Sequence, residues 1–343
     1  MELHTDVSLA ELTTLRLGGV ARFYTVAHSI EELREAIAYA HEKQLPLFLL
    51  GGGSNVCFGD AGWEGLVVRV ALTGRDYTED THGDAQAIVS AGELWDNFVG
   101  DTVAQGFWGL ENLSHIPGTV GACPVQNIGA YGVSVADQID WVEVLDVDDN
   151  QLHILSNHAC AFGYRDSLFK RAAGKSLVVT RVAFRLYTKP KPRLEYKDLA
   201  NRFEAQADVS PSDVRSALGT IRGKKFPKLA EVGTAGSFFK NPVIKRSHHT
   251  DIESWLGGPV PAHTIDDEHV KVPLAWVLDR LGWKGVRRGN VGTWKEQALV
   301  LVHYGGAHTD ELLRFANEIR ADVRAKTAIR IEPEVSLVGV RSL

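Results

Sequence analysis

The chain has 343 residues, of which 44% are hydrophobic and 23% are charged, and these are the proportions of an ordinary globular protein. Its formal net charge of −6 argues against a partner held by bulk phosphate electrostatics, so nucleic acid is not an expected partner. No apolar run approaches the roughly 20 residues that span a bilayer, so no membrane partner is expected either.

Cysteine usage and the first residues bear on the compartment. Cys57, Cys123 and Cys160 lie far apart and are odd in number, which does not suggest a disulfide framework. Residues 1–6 are acidic where a signal peptide would be basic and then apolar. We therefore expect a cytoplasmic protein. At this length, two or three domains are expected.

The first part of the chain predicts a small unit of strands and one helix. Ser29 is expected to cap a helix over residues 30–43, which carries glutamates in its first turn. Strands are predicted on both sides of this helix, at residues 13–28 (broken at Gly18-Gly19), 45–50 and 66–70.

The middle of the chain is typical of an α+β arrangement rather than of regular βαβ repeats. A helix is predicted over residues 93–105, and a glycine-rich loop follows it. Residues 141–147 and 151–155 predict a hairpin around Asp148-Asp149-Asn150. Further strands are expected at residues 88–91 and 176–187.

The last part predicts helices and strands in alternation. Helices are expected at residues 210–222, 273–281 and 310–326, the last behind a Thr309 cap. Strands are expected at residues 298–303 and 329–335, and the second of these carries Glu332 and Glu334.

Two glycine-rich stretches indicate close approach of the backbone to a ligand. Gly51-Gly52-Gly53-Ser54-Asn55 follows the predicted strand at 45–50, and residues 117–132 contain four glycines and two prolines. Glycine permits positive φ, while proline stiffens a loop. Such turns can present N–H groups to a pyrophosphate or to the polar edge of an aromatic ring system. For residues 117–132 the alternative is an ordinary surface loop.

Familiar nucleotide signatures do not fit. Val56 stands where the dinucleotide fingerprint that would begin at Gly51 needs a glycine, and Phe169 stands where a P-loop ending at Gly174-Lys175-Ser176 needs one. Four histidines near acidic residues show no metal-ligand spacing, so we expect solvated loop residues and no metal. They are His248, His249, His263 and His269.

Three further stretches supply the groups of an acid–base site. Residues 162–167 contain Arg165, whose guanidinium suits a carboxylate, although a surface ion pair with Asp166 is the alternative. Ser237 lies among small residues that leave its hydroxyl accessible, and Glu334 follows Pro333. Each is more often structural when taken singly. Together they provide a cation, a hydroxyl and a carboxylate.

With these stretches in order, the chain resembles the bacterial UDP-N-acetylenolpyruvoylglucosamine reductase family nearly end to end. The segment at 194–199 and the long insertion after Pro242 resemble the type I subgroup, in which a tyrosine loop covers the substrate. The motifs that carry the resemblance are at residues 51–55, 109–112, 116–118, 126–132, 164–167, 236–242 and 332–335.

The resemblance implies an α+β fold with a two-part FAD-binding domain of the PCMH/vanillyl-alcohol-oxidase type and a C-terminal α/β substrate-binding domain. The implied bounds are 1–66 for the first flavin part, joined by a C-terminal strand at 332–343, then 67–222 for the second part and 223–331 for the substrate domain. The implied cofactors are non-covalent FAD and NADPH. The implied substrate is UDP-N-acetylglucosamine-enolpyruvate, reduced to UDP-N-acetylmuramate for peptidoglycan by a monomeric enzyme.

The resemblance also implies residue roles. Ser237 would donate a proton, while Arg165 and Glu334 would hold and polarise the enol-like intermediate. The implied FAD contacts are Gly51, Gly52, Gly53, Ser54, Asn55, Pro117, Gly118, Gly121, Ala122, Asn127, Gly129 and Arg222. The implied substrate contacts are Tyr131, Tyr196, Lys225, Asn241 and Gln297. Ala122-Cys123 departs from the small hydroxylated residues that relatives often carry there.

Two other functions stay open. Another flavin oxidoreductase on the same scaffold, such as an oxidase of small alcohols, would need no UDP site. A non-catalytic nucleotide-sugar binding protein would carry no flavin and consume no NADPH.

Overall fold

The computed structural model describes residues 1–79 and 84–340 and divides into two compact units. Unit 1 comprises Met1–Val7, Ala21–Gly52 and Glu64–Arg222. Unit 2 comprises Ser8–Val20, Gly53–Trp63 and Gly223–Leu343. The first 63 residues therefore contribute segments to both units.

The strands and helices are numbered in chain order. The strands are β1 His4–Ser8, β2 Val20–Ala27, β3 Leu47–Leu50, β4 Val56–Phe58, β5 Trp63–Val70, β6 Arg75–Glu79, β7 Ala85–Ser90, β8 Gly129–Ala130, β9 Val133–Ser134, β10 Ile139–Asp146, β11 Leu152–Ser156, β12 Leu177–Leu186, β13 Gly233–Ser237, β14 Val243–Lys245, β15 His263–Thr264, β16 His269–Lys271, β17 Arg287–Arg288, β18 Val291–Trp294, β19 Gln297–His303 and β20 Ser336–Val338. The α-helices are α1 Ile30–Glu42, α2 Trp95–Ala104, α3 Ala122–Gln126, α4 Lys197–Phe203, α5 Pro211–Lys225, α6 Arg246–Leu256, α7 Leu274–Arg280 and α8 Thr309–Thr327. None of the helices in the described part of the chain is long and apolar enough to cross a membrane.

Unit 1 is built on two sheets, ordered β1-β2-β5-β3 and β11-β10-β12-β7-β6. Helix α1 forms where its sequence predicts it, because the Ser29 hydroxyl accepts the N–H of Glu32 at 3.1 Å and caps the first turn. Its buried residues recur at helical spacing, so one face packs on the core. They are Leu33, Ala36, Ile37 and Ala40.

The predicted hairpin of unit 1 is confirmed. β10 pairs antiparallel with β11, from Trp141 opposite Ser156 to Leu145 opposite Leu152. β12 lies on the other side of β10 and in turn pairs with β7. These β-branched and aromatic strands surround a core that includes Trp95, Phe98 and Phe184, all of which are almost fully buried.

Unit 2 is built on the sheet β13-β19-β18-β17, against which α7 and α8 pack. Leu299 and Leu301 of β19 belong to the same apolar core as Leu312 and Phe315 of α8. The alternate residues Val300 and Val302 belong to a separate buried cluster, because successive side chains of a strand point to opposite faces. β20 pairs parallel with β4, which brings the end of the chain beside residues 56–58.

Several sequence expectations are wrong in detail. Residues 329–335 do not form a strand: Pro333 lacks an N–H donor and makes only an isolated bridge with Phe239, and the strand forms later, as β20. The strand predicted over 13–28 begins only at Val20. Residues 341–343, the end of the implied C-terminal strand, lie outside the described residues.

The predicted cap of helix α8 is also wrong. Thr309 is the first residue of α8 rather than its cap, and its hydroxyl donates to the carbonyl of Phe58 at 2.7 Å. The helix start is instead capped by Asp60, whose two carboxylate oxygens accept the N–H groups of Thr309 at 2.8 Å and of Asp310 at 2.9 Å.

Candidate active site

The two predicted glycine turns touch each other in unit 1. A Cβ on Gly52 would lie 2.9 Å from Cα of Gly118, and one on Gly51 would lie 2.6 Å from Oγ1 of Thr119. Only glycine permits this approach of two backbones, since real Cβ atoms do not come so close to other atoms. The glycine turn that follows strand β3 therefore packs directly against the turn at Gly118 and Thr119.

The facing turns offer unused backbone donors. Within the described part of the chain, the N–H groups of Gly51, Gly52 and Gly118 have no hydrogen-bond acceptor. Adjacent backbone N–H groups form concave sites that bind anions such as a pyrophosphate. The residues present therefore fit the diphosphate of a dinucleotide cofactor.

Two other predicted cofactor residues use their N–H groups internally. Gly121 donates to the carbonyl of Ala91 at 2.8 Å, and Ala122 donates to the carbonyl of Thr119 at 3.1 Å. A Cβ on Gly121 would meet that of Ala91 at 2.6 Å, so this glycine is required for packing. Cys123, beside Ala122, is buried, and burial raises the pKa of its thiol. Any contact with a cofactor from these residues would use groups other than their N–H.

Asn127 joins the long glycine loop to the segment that carries Arg165. Its Nδ2 donates to the carbonyl of Gly163 at 2.7 Å. Its Oδ1 accepts the hydroxyl of Ser134 at 2.7 Å and the N–H of Ala136 at 3.2 Å. With both ends of its amide bonded, Asn127 fixes the loop in a left-handed turn at φ 43°.

Arg165 lies against this loop. Its Nη2 donates to the carbonyl of Gly129 at 2.5 Å, and Nη1 lies 3.4 Å from the carbonyl of Asn127. The alternative of an ion pair with Asp166 is wrong, because Asp166 binds Arg171, with its Oδ2 at 2.6 Å from Nη2. These carbonyl acceptors orient the guanidinium.

Tyr131, Tyr196 and Arg222 also lie together in unit 1. The two tyrosine rings meet edge to face, with centroids 5.3 Å apart. Arg222 donates from Nε to the carbonyl of His115 at 3.1 Å. Burial lowers the pKa of Arg222, and the neighbouring Tyr131 hydroxyl opposes this. A buried guanidinium of this kind gains from an anionic ligand.

In unit 2, a β-bulge decides where Ser237 points. Thr234 pairs with Val302 and Ser237 pairs with Val300, so β13 has one residue more than β19 between the two pairs. Gly236 supplies the positive φ, 74°, that such a bulge needs. Directly paired residues share a sheet face, so Ser237 lies on the face of Val300 and Val302. Without the bulge it would point into the apolar core with Leu299.

Glu334 lies on a segment paired with the residues that follow Ser237. Its N–H donates to the carbonyl of Phe238 at 2.7 Å, and Lys240 donates its N–H to the carbonyl of Glu332 at 3.0 Å. Asn55 approaches the same segment, with Nδ2 3.4 Å from the carbonyl of Glu334 and its own carbonyl accepting the N–H of Ser336 at 3.1 Å. The structure thus brings Glu334, Ser237 and the Gly53-Ser54-Asn55 turn together in unit 2, while Arg165 belongs to unit 1.

The remaining predicted residues of unit 2 lie at the ends of elements. Asn241 accepts the N–H of Leu274 at 2.9 Å and thereby caps α7. Gln297 begins β19 opposite Trp294, and Lys225 ends α5. His248 and His249 are not solvated loop residues as expected: both lie in α6, and each contacts a carbonyl oxygen at 2.8 Å.

The sequence did not predict the residues whose hydrogen bonds hold the site segments in place. Lys170 contacts Oε1 of Gln126 at 3.0 Å and the carbonyl of Arg165 at 3.1 Å, so it fixes the arginine segment on helix α3. Asp96 fixes His115 in a similar way, because its Oδ1 accepts the N–H of His115 at 2.5 Å. No local pattern marks these residues, because Gln126 lies 44 positions from Lys170 and His115 lies 19 positions from Asp96.

Comparison with known proteins identifies the chain along its whole length. The model of an FAD binding domain matches residues 21–156, and that of the UDP-N-acetylenolpyruvoylglucosamine reductase C-terminal domain matches residues 227–338. A UDP-N-acetylenolpyruvoylglucosamine reductase of Azoarcus sp. (strain BH72) is 41% identical and covers 97% of both chains. One of Pseudomonas aeruginosa is 40% identical and covers 98% of this chain and 99% of its own length.

A solved structure has a similar fold along nearly the whole chain. The crystal structure of UDP-N-acetylenolpyruvylglucosamine reductase from Thermus caldophilus superposes with a TM-score of 0.67 at 25% identity and covers 98% of each chain. Together with the facing glycine turns, these matches define an FAD-dependent oxidoreductase with a PCMH-type flavin domain, and they confirm the predicted fold class. The chain belongs to the UDP-N-acetylenolpyruvoylglucosamine reductase family.

Proposed function

We propose that the protein reduces the enolpyruvyl ether of UDP-N-acetylenolpyruvoylglucosamine with NADPH and FAD, giving UDP-N-acetylmuramate for peptidoglycan synthesis. Full-length similarity to reductases of that name supports the proposal. The observation that carries it is the bulge in β13, which turns the Ser237 hydroxyl out of the apolar core beside the segment of Glu334.

The cofactor would be held mainly by backbone groups. The N–H groups of Gly51, Gly52 and Gly118 would bind the FAD pyrophosphate, and Arg222 would add a buried positive charge. FAD, when bound, accepts hydride from NADPH and supplies it to the methylene carbon of the enolpyruvyl group.

The chain's own residues would manage the resulting charge and proton. Addition of hydride to the methylene carbon leaves negative charge on the neighbouring carbon, which is delocalised into the substrate carboxylate. Arg165 and Glu334 would hold and polarise this enol-like intermediate, Arg165 by its charge and Glu334 by hydrogen bonding. Ser237 would donate the proton to the carbon. Arg165 is suited to this role because its carbonyl partners fix the direction of its guanidinium.

The UDP-sugar would be bound by polar side chains. We propose that Tyr131, Tyr196, Lys225, Asn241 and Gln297 contact its phosphates, sugar or carboxylate. Tyr196 is 39% exposed at the start of α4, so its ring is accessible to a ligand.

The test separates the two half-reactions of Ser237→Ala. Flavin reduction by NADPH should stay close to that of the unchanged protein, whereas reoxidation by the enolpyruvyl substrate should slow by about 100- to 1,000-fold, the usual effect of removing one catalytic donor. Anaerobic stopped-flow absorbance measures both rates. Ser254→Ala, at an exposed site in α6, is the control. Equal losses in both half-reactions would remove Ser237 from the role of proton donor.

We further propose a cytoplasmic monomer whose product supports cell shape and division. The three cysteines, which are free and buried, support a reducing compartment. The domain bounds 1–66 with 332–343, 67–222 and 223–331 are likewise proposed. Light scattering on the purified protein tests the monomer, and a dimer at micromolar concentration would contradict it.

A further inference from the structure

The bulge that directs Ser237 is held by one side chain. The Thr234 hydroxyl donates to the carbonyl of Leu301 at 2.8 Å and accepts the N–H of Gly236 at 3.2 Å. Gly236 is the extra residue at positive φ, and no atom lies within 4 Å of the position that a Cβ would take there. The space beside Gly236 is therefore open, and the hydrogen bond from the Gly236 N–H to the Thr234 hydroxyl helps to stabilise the bulge.

Thr234 is itself fixed to Thr14, which lies in the segment of unit 2 at residues 8–20. Its N–H donates to the carbonyl of Thr14 at 3.0 Å, and the Thr14 hydroxyl donates to the carbonyl of Thr234 at 2.8 Å. Thr14 in turn donates its N–H to the carbonyl of Gly53 at 3.0 Å. A continuous set of hydrogen bonds thus runs from Gly53 through both threonines to the bulge.

We propose that Thr234 is a positioning residue for the proton transfer, acting through the bulge to hold the Ser237 hydroxyl in register with the turn at Gly53. The inference rests on the proposed role of Ser237. Loss of the Thr234 hydroxyl would release the Gly236 N–H and loosen the bulge, so that the Ser237 hydroxyl would be held less firmly. Thr14 assists by fixing Thr234.

A merely structural threonine is the competing explanation, and the same sheet provides its control. Thr293 of β18 is buried to an extent similar to that of Thr234. Its hydroxyl accepts the N–H of Val286 at 3.0 Å and donates to the carbonyl of Trp283. Its hydroxyl bonds do not reach the bulge. Thr234→Val and Thr293→Val therefore delete equivalent hydroxyl groups from one sheet, and only the first should change the chemistry.

The experiment measures both half-reactions in Thr234→Val, Thr234→Ser and Thr293→Val. Thr234→Val should leave flavin reduction by NADPH within about twofold and slow reoxidation by the enolpyruvyl substrate by about 10- to 100-fold, the scale of a small misplacement of a reacting group. Thr234→Ser, which keeps the hydroxyl, should restore reoxidation. Thr293→Val should not separate the two half-reactions. Equal slowing of both half-reactions in Thr234→Val, or failure of serine to rescue, would overturn the inference.

The double variant separates this inference from the proposed function. If Thr234 acts only through Ser237, Thr234→Val should add no further slowing to Ser237→Ala. Additive losses would overturn the positioning role. Normal reoxidation in Ser237→Ala would instead refute the proposed proton donor.

Amide hydrogen exchange tests the role of Thr234 in the bulge without turnover. The peptide that contains Gly236 should exchange faster in Thr234→Val than in the unchanged protein. Unchanged exchange would contradict the role in the bulge.

Discussion

Arg165, Asn127 and Tyr131 all adopt positive φ, at 53°, 43° and 49° respectively. Residues with a Cβ rarely take this left-handed conformation, and such strain gathers at functional sites where surrounding contacts enforce it. Here the contacts are those of the Asn127 amide and of the Arg165 guanidinium with the Gly129 carbonyl. Three of the ten non-glycine residues that the structure describes at positive φ are therefore residues to which the resemblance assigns a role in the site.

Gly129 is the residue that allows Arg165 to lie so close. A Cβ there would be 3.1 Å from Nη1 of Arg165 and 3.0 Å from the carbonyl of Val133. We expect Gly129→Ala to displace the guanidinium and to slow flavin reoxidation by the enolpyruvyl substrate by about tenfold or more, with FAD still bound. Stopped-flow absorbance and flavin content measure both.

Gly163→Ala is the matched control in the adjoining segment. Its added methyl would meet only Asp166, at 3.6 Å from Cβ, which is ordinary contact. Its kinetics should resemble those of the unchanged protein. Equal rates in Gly129→Ala and Gly163→Ala would show that the position of Arg165 does not depend on Gly129.

Elements whose signals are local were predicted well. Ser29 and the spacing of Leu33 and Ile37 define α1, and the acidic turn between β10 and β11 defines the hairpin. The start of α8 was predicted wrongly because its cap comes from Asp60, about 250 residues earlier in the chain. The bulge at Gly236 was also missed, since register is set by the pairing of β13 with β19 rather than by either strand alone.

The cap of α8 can be tested through stability. Asp60→Ala should reduce the free energy of unfolding by about 1–2 kcal/mol, the usual cost of losing a helix cap. Urea unfolding followed by circular dichroism measures this. Asp251→Ala, at an exposed position of α6, should change little. An equal effect of the two substitutions would mean that Asp60 does not act as the cap.

At the scale of the molecule, unit 2 joins segments that are remote in sequence. The His303 ring packs against Gly233 and lies beside the carbonyl of Leu15, so β19, β13 and the segment at 8–20 meet there. Burial lowers the pKa of His303 below its ordinary value of 6.5. The unfolded chain therefore takes up a proton near that pH, while the folded chain resists it.

The stability of unit 2 should therefore depend on pH. Unit 2 should lose stability as the pH falls from about 7 through the lower pKa of folded His303, because the unfolded state then binds more protons. His303→Gln should reduce this slope, whereas His263→Gln, at an exposed site, should not. Thermal unfolding between pH 7 and pH 5 measures it. A slope that is unchanged in His303→Gln would contradict the role of burial.

The sequence predicts candidate site residues, which stay predictions, but it does not predict the residues that hold them in place. The glycine turns, Arg165, Ser237 and Glu334 stand out in the sequence because their neighbours are small or polar. Lys170, Thr14 and Thr234 do not, because a lysine or threonine that holds another residue has no local signature. Their roles depend on tertiary contacts.

The central expectation is that one flavoprotein transfers hydride from NADPH to an enolpyruvyl ether while Ser237 protonates the adjacent carbon. An anaerobic titration of the purified protein, with flavin absorbance recorded and products identified by mass spectrometry, tests it most directly. NADPH should bleach the flavin, and the enolpyruvyl UDP-sugar should restore the colour with stoichiometric formation of UDP-N-acetylmuramate. A protein that takes up no FAD, or a bleached flavin that the enolpyruvyl substrate cannot reoxidise, would contradict it.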